Sequence, residues 1–157
     1  MDPLDTIRAA LAGLEFDWLL ADDEGRLALC ETAGYGEVPD AVLALGEDAL
    51  SGAYATSVSE ILTALPERGG CTQEHHGVGT DLVTLGYATR GLYVFDWCHW
   101  SGPHRRIVIP GSPIAMHELP PSLRTLVSLS PPAPLQFAKT TELQLADLMP
   151  CRRTGAG

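Results

Sequence analysis

Residues 16–39, FDWLLADDEGRLALCETAGYGEVP, decide how the rest of the chain is read. Phe16, Trp18 and Leu20 alternate with other residues, and Leu27 and Leu29 resume the alternation beyond a short polar break. A period of two is the signature of a strand, since successive side chains point to opposite faces. The break, ADDEG at 21–25, suits a hairpin turn in which Gly25 takes the left-handed conformation such loops need. Leu19, Ala21, Ala28 and Cys30 make the second face apolar as well, so the hairpin is expected to be covered on both sides for part of its length.

Outward from this hairpin the pattern changes. On the N-terminal side, Asp2 and Pro3 form a helix start, and Ile7, Leu11 and Leu14 recur at helical spacing, which predicts a short helix over 3–14. On the C-terminal side, Pro39 opens a long helical region. Val42, Leu45, Leu50, Tyr54, Val58, Ile61 and Leu65 keep its spacing, Gly46 and Gly52 are candidate breaks, and Pro66 ends it. Residues 67–80, ERGGCTQEHHGVGT, read as a loop. Strand-like segments follow at 81–89, 91–98 and 105–110, with HWSGPH (99–104) as the turn between the last two. Residues 120–129 read as a short helix, SPPAP (130–134) as a stiff connector, and LQFAKTTEL (135–143) as a last strand. Strands in hairpins interrupted by one helical region predict an α+β fold. Its sheet is mostly antiparallel, built from hairpins and packed with the long helical region and short terminal helices. The expected organisation is a single domain over 1–150 followed by a flexible tail, 151–157.

Composition agrees with a folded globule, because 45% of the 157 residues are apolar and only 19% are charged. No apolar run reaches the length of a membrane span, and the start, MDPLDTIRAALAGLEFD, lacks the basic and apolar regions of a secretion signal. The expectation is a cytoplasmic protein without membrane contact. Its four cysteines contain no CxxC pair and are expected to be reduced thiols rather than a disulfide framework. The net charge of −10 is unevenly spread. Residues 1–64 hold 13 Asp and Glu against two Arg, a net −11, and residues 65–157 hold seven acids against eight bases, a net +1. An acidic surface of this kind repels nucleic acid and speeds encounters with basic proteins.

Few residues suggest chemistry. Cys71, His75 and His76 share one loop, and Cys98, His99 and His104 cluster about a turn, which are the ligand types zinc prefers. The spacings match no common zinc motif, and Cys98 and His99, being adjacent, point to opposite faces of a strand. A thiol nucleophile paired with one of these histidines would need an orienting third group that the sequence does not show. The glycine-rich stretches lack the GK[ST] or strand–GxGxxG–helix setting of a phosphate loop. Asp22, Asp23 and Glu24 are consecutive, so their side chains diverge, unlike the spaced ligands of a calcium loop. No catalytic residue, metal ligand or cofactor is therefore assigned. Tyr93, Phe95 and Trp97 alternate on one face, as core residues do, whereas Trp100 falls in a turn.

Two stretches carry a resemblance. FDWLLADDEGRLALCETAGYGEVP (16–39) and RGLYVFDWCHWSGPHRRIVIPGSPIAMHELP (90–120) resemble a loosely defined group of small bacterial proteins. In that group an aromatic-Asp-Trp strand, a D-x-x-G turn and a glycine-rich exit to Val-Pro are followed later by a GLYVYDW-like strand and a basic strand. The group includes immunity proteins that neutralise toxins delivered by neighbouring cells. The HELP segment (117–120) departs from the acidic DLP usual there. The motifs covered are strand and turn patterns, about a third of the chain, and they carry no catalytic content. The resemblance and the charge map together imply a non-enzymatic binder of a cognate toxin acting in the cytoplasm, on nucleic acid or NAD. The expected contacts are Asp22, Asp23 and Glu24 on the hairpin tip, Tyr35 and Glu37 on the exit loop, and Glu47 and Asp48 on the helical region. Two alternatives stand beside it: a small metal- or thiol-dependent enzyme using the Cys71/His75/His76 and Cys98/His104 loops, and an adaptor for a non-toxin protein.

Overall fold

The computed structural model describes residues 2–74, 80–97 and 101–148. The chain has a mixed α+β fold with a six-stranded, mostly antiparallel sheet. The expected hairpin is its first unit: β1 (Asp17–Ala21) pairs antiparallel with β2 (Leu27–Glu31), and Gly25 adopts φ +74° at the turn. Helix α1 (Pro3–Leu11) precedes it, capped by the Asp2 carboxylate, which accepts from the Leu4 N–H. It stops at Leu11, one turn earlier than the apolar spacing suggested.

The long helical region is a bent series of short helices: α2 (Asp40–Leu43), α3 (Glu47–Ser51), α4 (Ala53–Ser59) and α5 (Ile61–Ala64). Gly46 at φ +88° separates the first two and Gly52 the next, as their lack of a side chain permits. The series still buries the residues its spacing marked, Val42, Leu50, Tyr54, Val58, Ile61 and Leu65, whereas Leu45 is exposed.

Three segments differ from expectation. Residues 71–73, read as loop, form the edge strand β3 (Cys71–Gln73) against the end of the strand over 104–110. Residues 81–89, read as strand-like from their Val, Thr and Tyr content, form helix α6 (Leu82–Thr89). The Asp81 carboxylate caps it by accepting from the Thr84 N–H at 2.8 Å, and Thr84, Tyr87 and Ala88 turn inward at helical spacing. Tertiary burial of that one face overrides the weak β propensity of the segment. The expected last strand, 135–143, is mostly irregular: a single 3-10 turn at Phe137–Lys139, then only β6 (Glu142–Leu143).

Strands β4 (Tyr93–Trp97) and β5 (His104–Pro110) form the second hairpin, with a register shift between Val94 and Phe95. The sheet order is β1-β2-β4-β5-β3, with β6 also on β5. The one parallel contact, β2 with β4, joins the two hairpins through the helical crossover. Helices α7 (Pro121–Val127) and α8 (Leu145–Leu148) complete the chain as described. Tyr93, Phe95 and Trp97 are buried as expected, and Tyr93 and Phe95 pack on Phe137 with ring centroids 5.9 and 5.6 Å apart.

The outer edge of β1 is partly closed by other parts of the molecule. The Leu19 N–H donates to the Tyr54 hydroxyl at 3.0 Å, the Ala133 N–H donates to the Ala21 carbonyl, and the Asp23 N–H donates to the Leu135 carbonyl. These contacts occupy part of the outer edge of β1 and leave less of it open to strand addition.

Candidate functional site

The expected contact residues lie at the two ends of the β1–β2 hairpin and, for Glu47 and Asp48, on α3. At the tip, Asp22 is 2% exposed and offers no surface. Its Oδ1 accepts from the Glu24 and Arg26 N–H groups at 3.0 and 2.9 Å, and its Oδ2 accepts from the buried Phe137 N–H at 3.0 Å. A carboxylate has several acceptor sites, and here three of them fold the turn and tie it to the 137–139 segment. Asp22 is a structural residue. Asp23 and Glu24, by contrast, are exposed.

At the other end of the hairpin, five residues or about 17 Å along the strands, Tyr35 is 53% exposed. Tyr35 and Glu37 share the wall of an apolar hollow of about 290 Å³ with Leu11, Phe16, Val38 and Leu43. The exit loop is tightly built. A Cβ on Gly36 would come within 2.9 Å of the Thr32 backbone and 3.1 Å of the His104 ring, so only glycine fits. Glu47 and Asp48 are exposed in the first turn of α3. The structure therefore brings Tyr35 and Glu37 together, and it separates them from Asp23 and Glu24.

The most unusual arrangement lies at the hairpin base. Asp17 on β1 pairs in register with Glu31 on β2, and Glu31 in turn pairs with Asp96 on β4. Register partners point to the same face of a sheet with Cβ atoms about 4.5–5.5 Å apart, so three carboxyl groups stand in a row across three strands. The next positions in the row are Arg105 on β5 and Glu142 on β6, whose side chains form an ion pair at 3.5 Å. Helix α6 covers the acidic end: the Thr84 hydroxyl donates to Glu31 Oε1 at 2.7 Å, and the capping Asp81 lies beside it. With Glu15 and Tyr87 these groups line a groove of about 330 Å³ that contains no basic side chain among the described residues.

Burial and mutual repulsion change how these acids titrate. Burial first, then the charges of Asp96, Glu15 and Asp81, pushes Asp17 up to about 6. Burial, together with Asp17, Asp96 and Asp81, pushes Glu31 up to about 7, against the opposing effect of the Thr84 hydrogen bond. Asp96 is raised as well, chiefly by burial. The same desolvation and the neighbouring acids push the Tyr87 hydroxyl up to about 12.

Sequence reading missed this groove because its acids come from separate segments, Glu15, Asp17, Glu31, Asp81 and Asp96. One signal was present: Phe-Asp-Trp occurs twice, at 16–18 and 95–97. The fold places the two Asp on either side of Glu31, and it turns Trp18 and Trp97 edge-on to the buried His104, with centroids 5.9 and 4.9 Å away. His104 Nε2 lies 3.2 Å from the Glu37 carbonyl, which assigns the proton to that nitrogen, and Nδ1 is buried without a partner among the described residues. Burial holds this imidazole below its ordinary pKa.

The metal- or thiol-dependent alternative rests largely on His75, His76 and Cys98, which lie outside the described residues, as do His99 and Trp100. Of its remaining members, Cys71 pairs with Pro110, whereas His104 starts β5. The two stand six residues apart along β5, about 20 Å. Among the described residues, no group of three or more His, Cys, Asp or Glu side chains is placed to hold a metal ion. Cys30 and Cys71 are free thiols, and burial raises the Cys30 pKa well above its usual value. Among the described residues no helix is long and apolar enough to cross a membrane. No known protein family, curated protein or solved structure matches the chain.

Proposed function

We propose that this protein is an immunity-type binder that neutralises a cognate bacterial toxin acting in the cytoplasm, and that it uses the acidic hairpin rather than any catalytic group. The observation that carries the reading is the concentration of carboxylates at both ends of β1–β2: Asp23 and Glu24 exposed at the tip, and Glu15, Asp17, Glu31, Asp81 and Asp96 around the groove at the base. A groove lined by acids, with no base among its described residues, favours guanidinium or ammonium groups, which a nucleic-acid-acting enzyme carries around its cleft. The resemblance of residues 16–39 and 90–120 to a group containing immunity proteins points the same way. Asp22 leaves the set of contacts, and Asp23, Glu24, Tyr35, Glu37, Glu47 and Asp48 remain in it.

The test is binding between this protein and the C-terminal domain of a large secreted protein encoded beside it, with toxicity followed in the same co-expression. Nanomolar affinity that weakens with salt, together with rescued growth, is the expected result. Absence of both binding and rescue overturns the proposal.

A further inference from the structure

The acidic row has a consequence for the protein alone, whatever its partner. Glu31 is flanked at sheet spacing by Asp17 on one side and Asp96 on the other, and α6 closes over it through Thr84. The groups that face the Asp17–Glu31 pair are Glu15 before β1, Asp96 on β4, and Asp81, Thr84 and Tyr87 from the α6 segment. The nearest cation along the row is Arg105, beyond Asp96, and it is paired outward to Glu142. Directly opposed like charges destabilise a sheet, and adjacent carboxyl groups relieve the conflict by keeping a proton between them.

We propose that the Asp17–Glu31 pair is a proton-linked latch that seats α6 on the sheet while the pair retains a proton and loosens it once both groups are ionised. With a proton on the pair, Glu31 accepts the Thr84 hydrogen bond without facing a second full charge on Asp17. When the proton leaves, two half-buried carboxylates oppose each other beneath the Asp81 carboxylate at the start of α6. Fuller solvation of both charges requires the groove to widen, and the element that can yield is α6. The strands are locked by continuous ladders, whereas α6 meets the row through side chains. The Asp17 charge adds to the rise of Glu31, so the two titrations are linked, and their raised values place the transition near neutrality.

Amide hydrogen exchange on the full chain tests this, read as protection factors so that the intrinsic pH dependence of exchange is divided out. Between pH 5 and pH 8, the α6 amides of residues 85–89 should lose about tenfold in protection relative to those of β4, and NMR titration of the side-chain carboxyls should show Asp17 and Glu31 releasing protons above pH 5. Glu31→Gln keeps an acceptor for Thr84 and removes the central charge, and Asp17→Asn removes its neighbour. Either substitution should flatten the pH response of α6. Equal loss of protection in α6 and β4, an unchanged α6, or carboxyls that titrate entirely below pH 5 would each overturn the latch, and all three are read on the wild-type chain. Persistence of the response in both variants would do the same.

Discussion

Replacing Asp22 by alanine removes three hydrogen bonds at once and leaves the Phe137 N–H buried without a partner among the described residues. Hydrogen bonds to a charged group are worth about 1.5–3 kcal/mol each, and they are not independent here, so a loss of about 3 kcal/mol is expected in urea unfolding. The adjacent Asp23→Lys and Glu24→Lys should change stability by less than about 0.5 kcal/mol, since both side chains are exposed. If the proposed function holds, the same two changes should slow association with the partner and flatten its salt dependence, measured by stopped-flow mixing at several ionic strengths. The contrast between neighbours shows what a sequence triplet hides. Asp22, Asp23 and Glu24 look alike in a row of letters, but the geometry of the turn sends the first inward and leaves the other two in water. Arg106 is the basic counterpart of Asp22. It is 7% exposed, pairs with Glu74, and donates to the Phe137 and Ala138 carbonyls at 2.7 and 2.9 Å. Together the two side chains hold one short segment by its backbone from both sides.

Among the elements, β1 shows how the sheet ends. Its outer backbone is satisfied at Leu19 by a side chain from α4, the Tyr54 hydroxyl. Tyr54→Phe leaves the ring packing in place and removes only that acceptor, so the buried Leu19 N–H is orphaned. The expected cost is about 1–2 kcal/mol by chemical denaturation, with faster exchange at Leu19 than at other β1 amides. The elements also mark where local pattern fails. The hairpin strands β1, β2, β4 and β5 were legible because their alternation is strong and their turns are polar or glycine-rich. The helix α6 was not, because LVTLGYAT has the composition of a strand, and its period shows only once Thr84, Tyr87 and Ala88 are seen to face inward together. The 135–143 segment likewise alternates like a strand, yet Asp22 and Arg106 claim its backbone groups at Phe137 before a ladder can form.

Over the whole molecule, stability should depend on pH in an unusual direction. Asp17 and Glu31 have folded-state pKa values above their ordinary ones, so the stability they contribute is fully present below the unfolded pKa and is lost as pH rises through about 6 and 7. His104 acts oppositely. Its folded pKa is depressed, so its contribution is present above the ordinary 6.5 and is lost as pH falls. Two acids outweigh one histidine, so stability is expected to fall by on the order of 2 kcal/mol as pH rises from about 5 to 7 and to change little beyond, read from urea midpoints across that range. Glu31→Gln should remove most of this slope, and retention of the full slope would assign it to other groups.

What the sequence determined by itself is the part governed by local rules. The two hairpins, the α1 start, the glycine breaks of the helical region and the acidic bias of the first 64 residues follow from side-chain periodicity, φ preferences and charge count, each confined to neighbours along the chain. What only the tertiary structure decided is which residues share a face across strands. The parallel register of β2 on β4 sets Asp96 beside Glu31, the antiparallel register of β1 on β2 sets Asp17 on its other side, and α6 brings Asp81 and Thr84 above them. Register is chosen by burial of whole strand faces. Three acids from three distant segments therefore became one groove for a reason none of the segments carries alone.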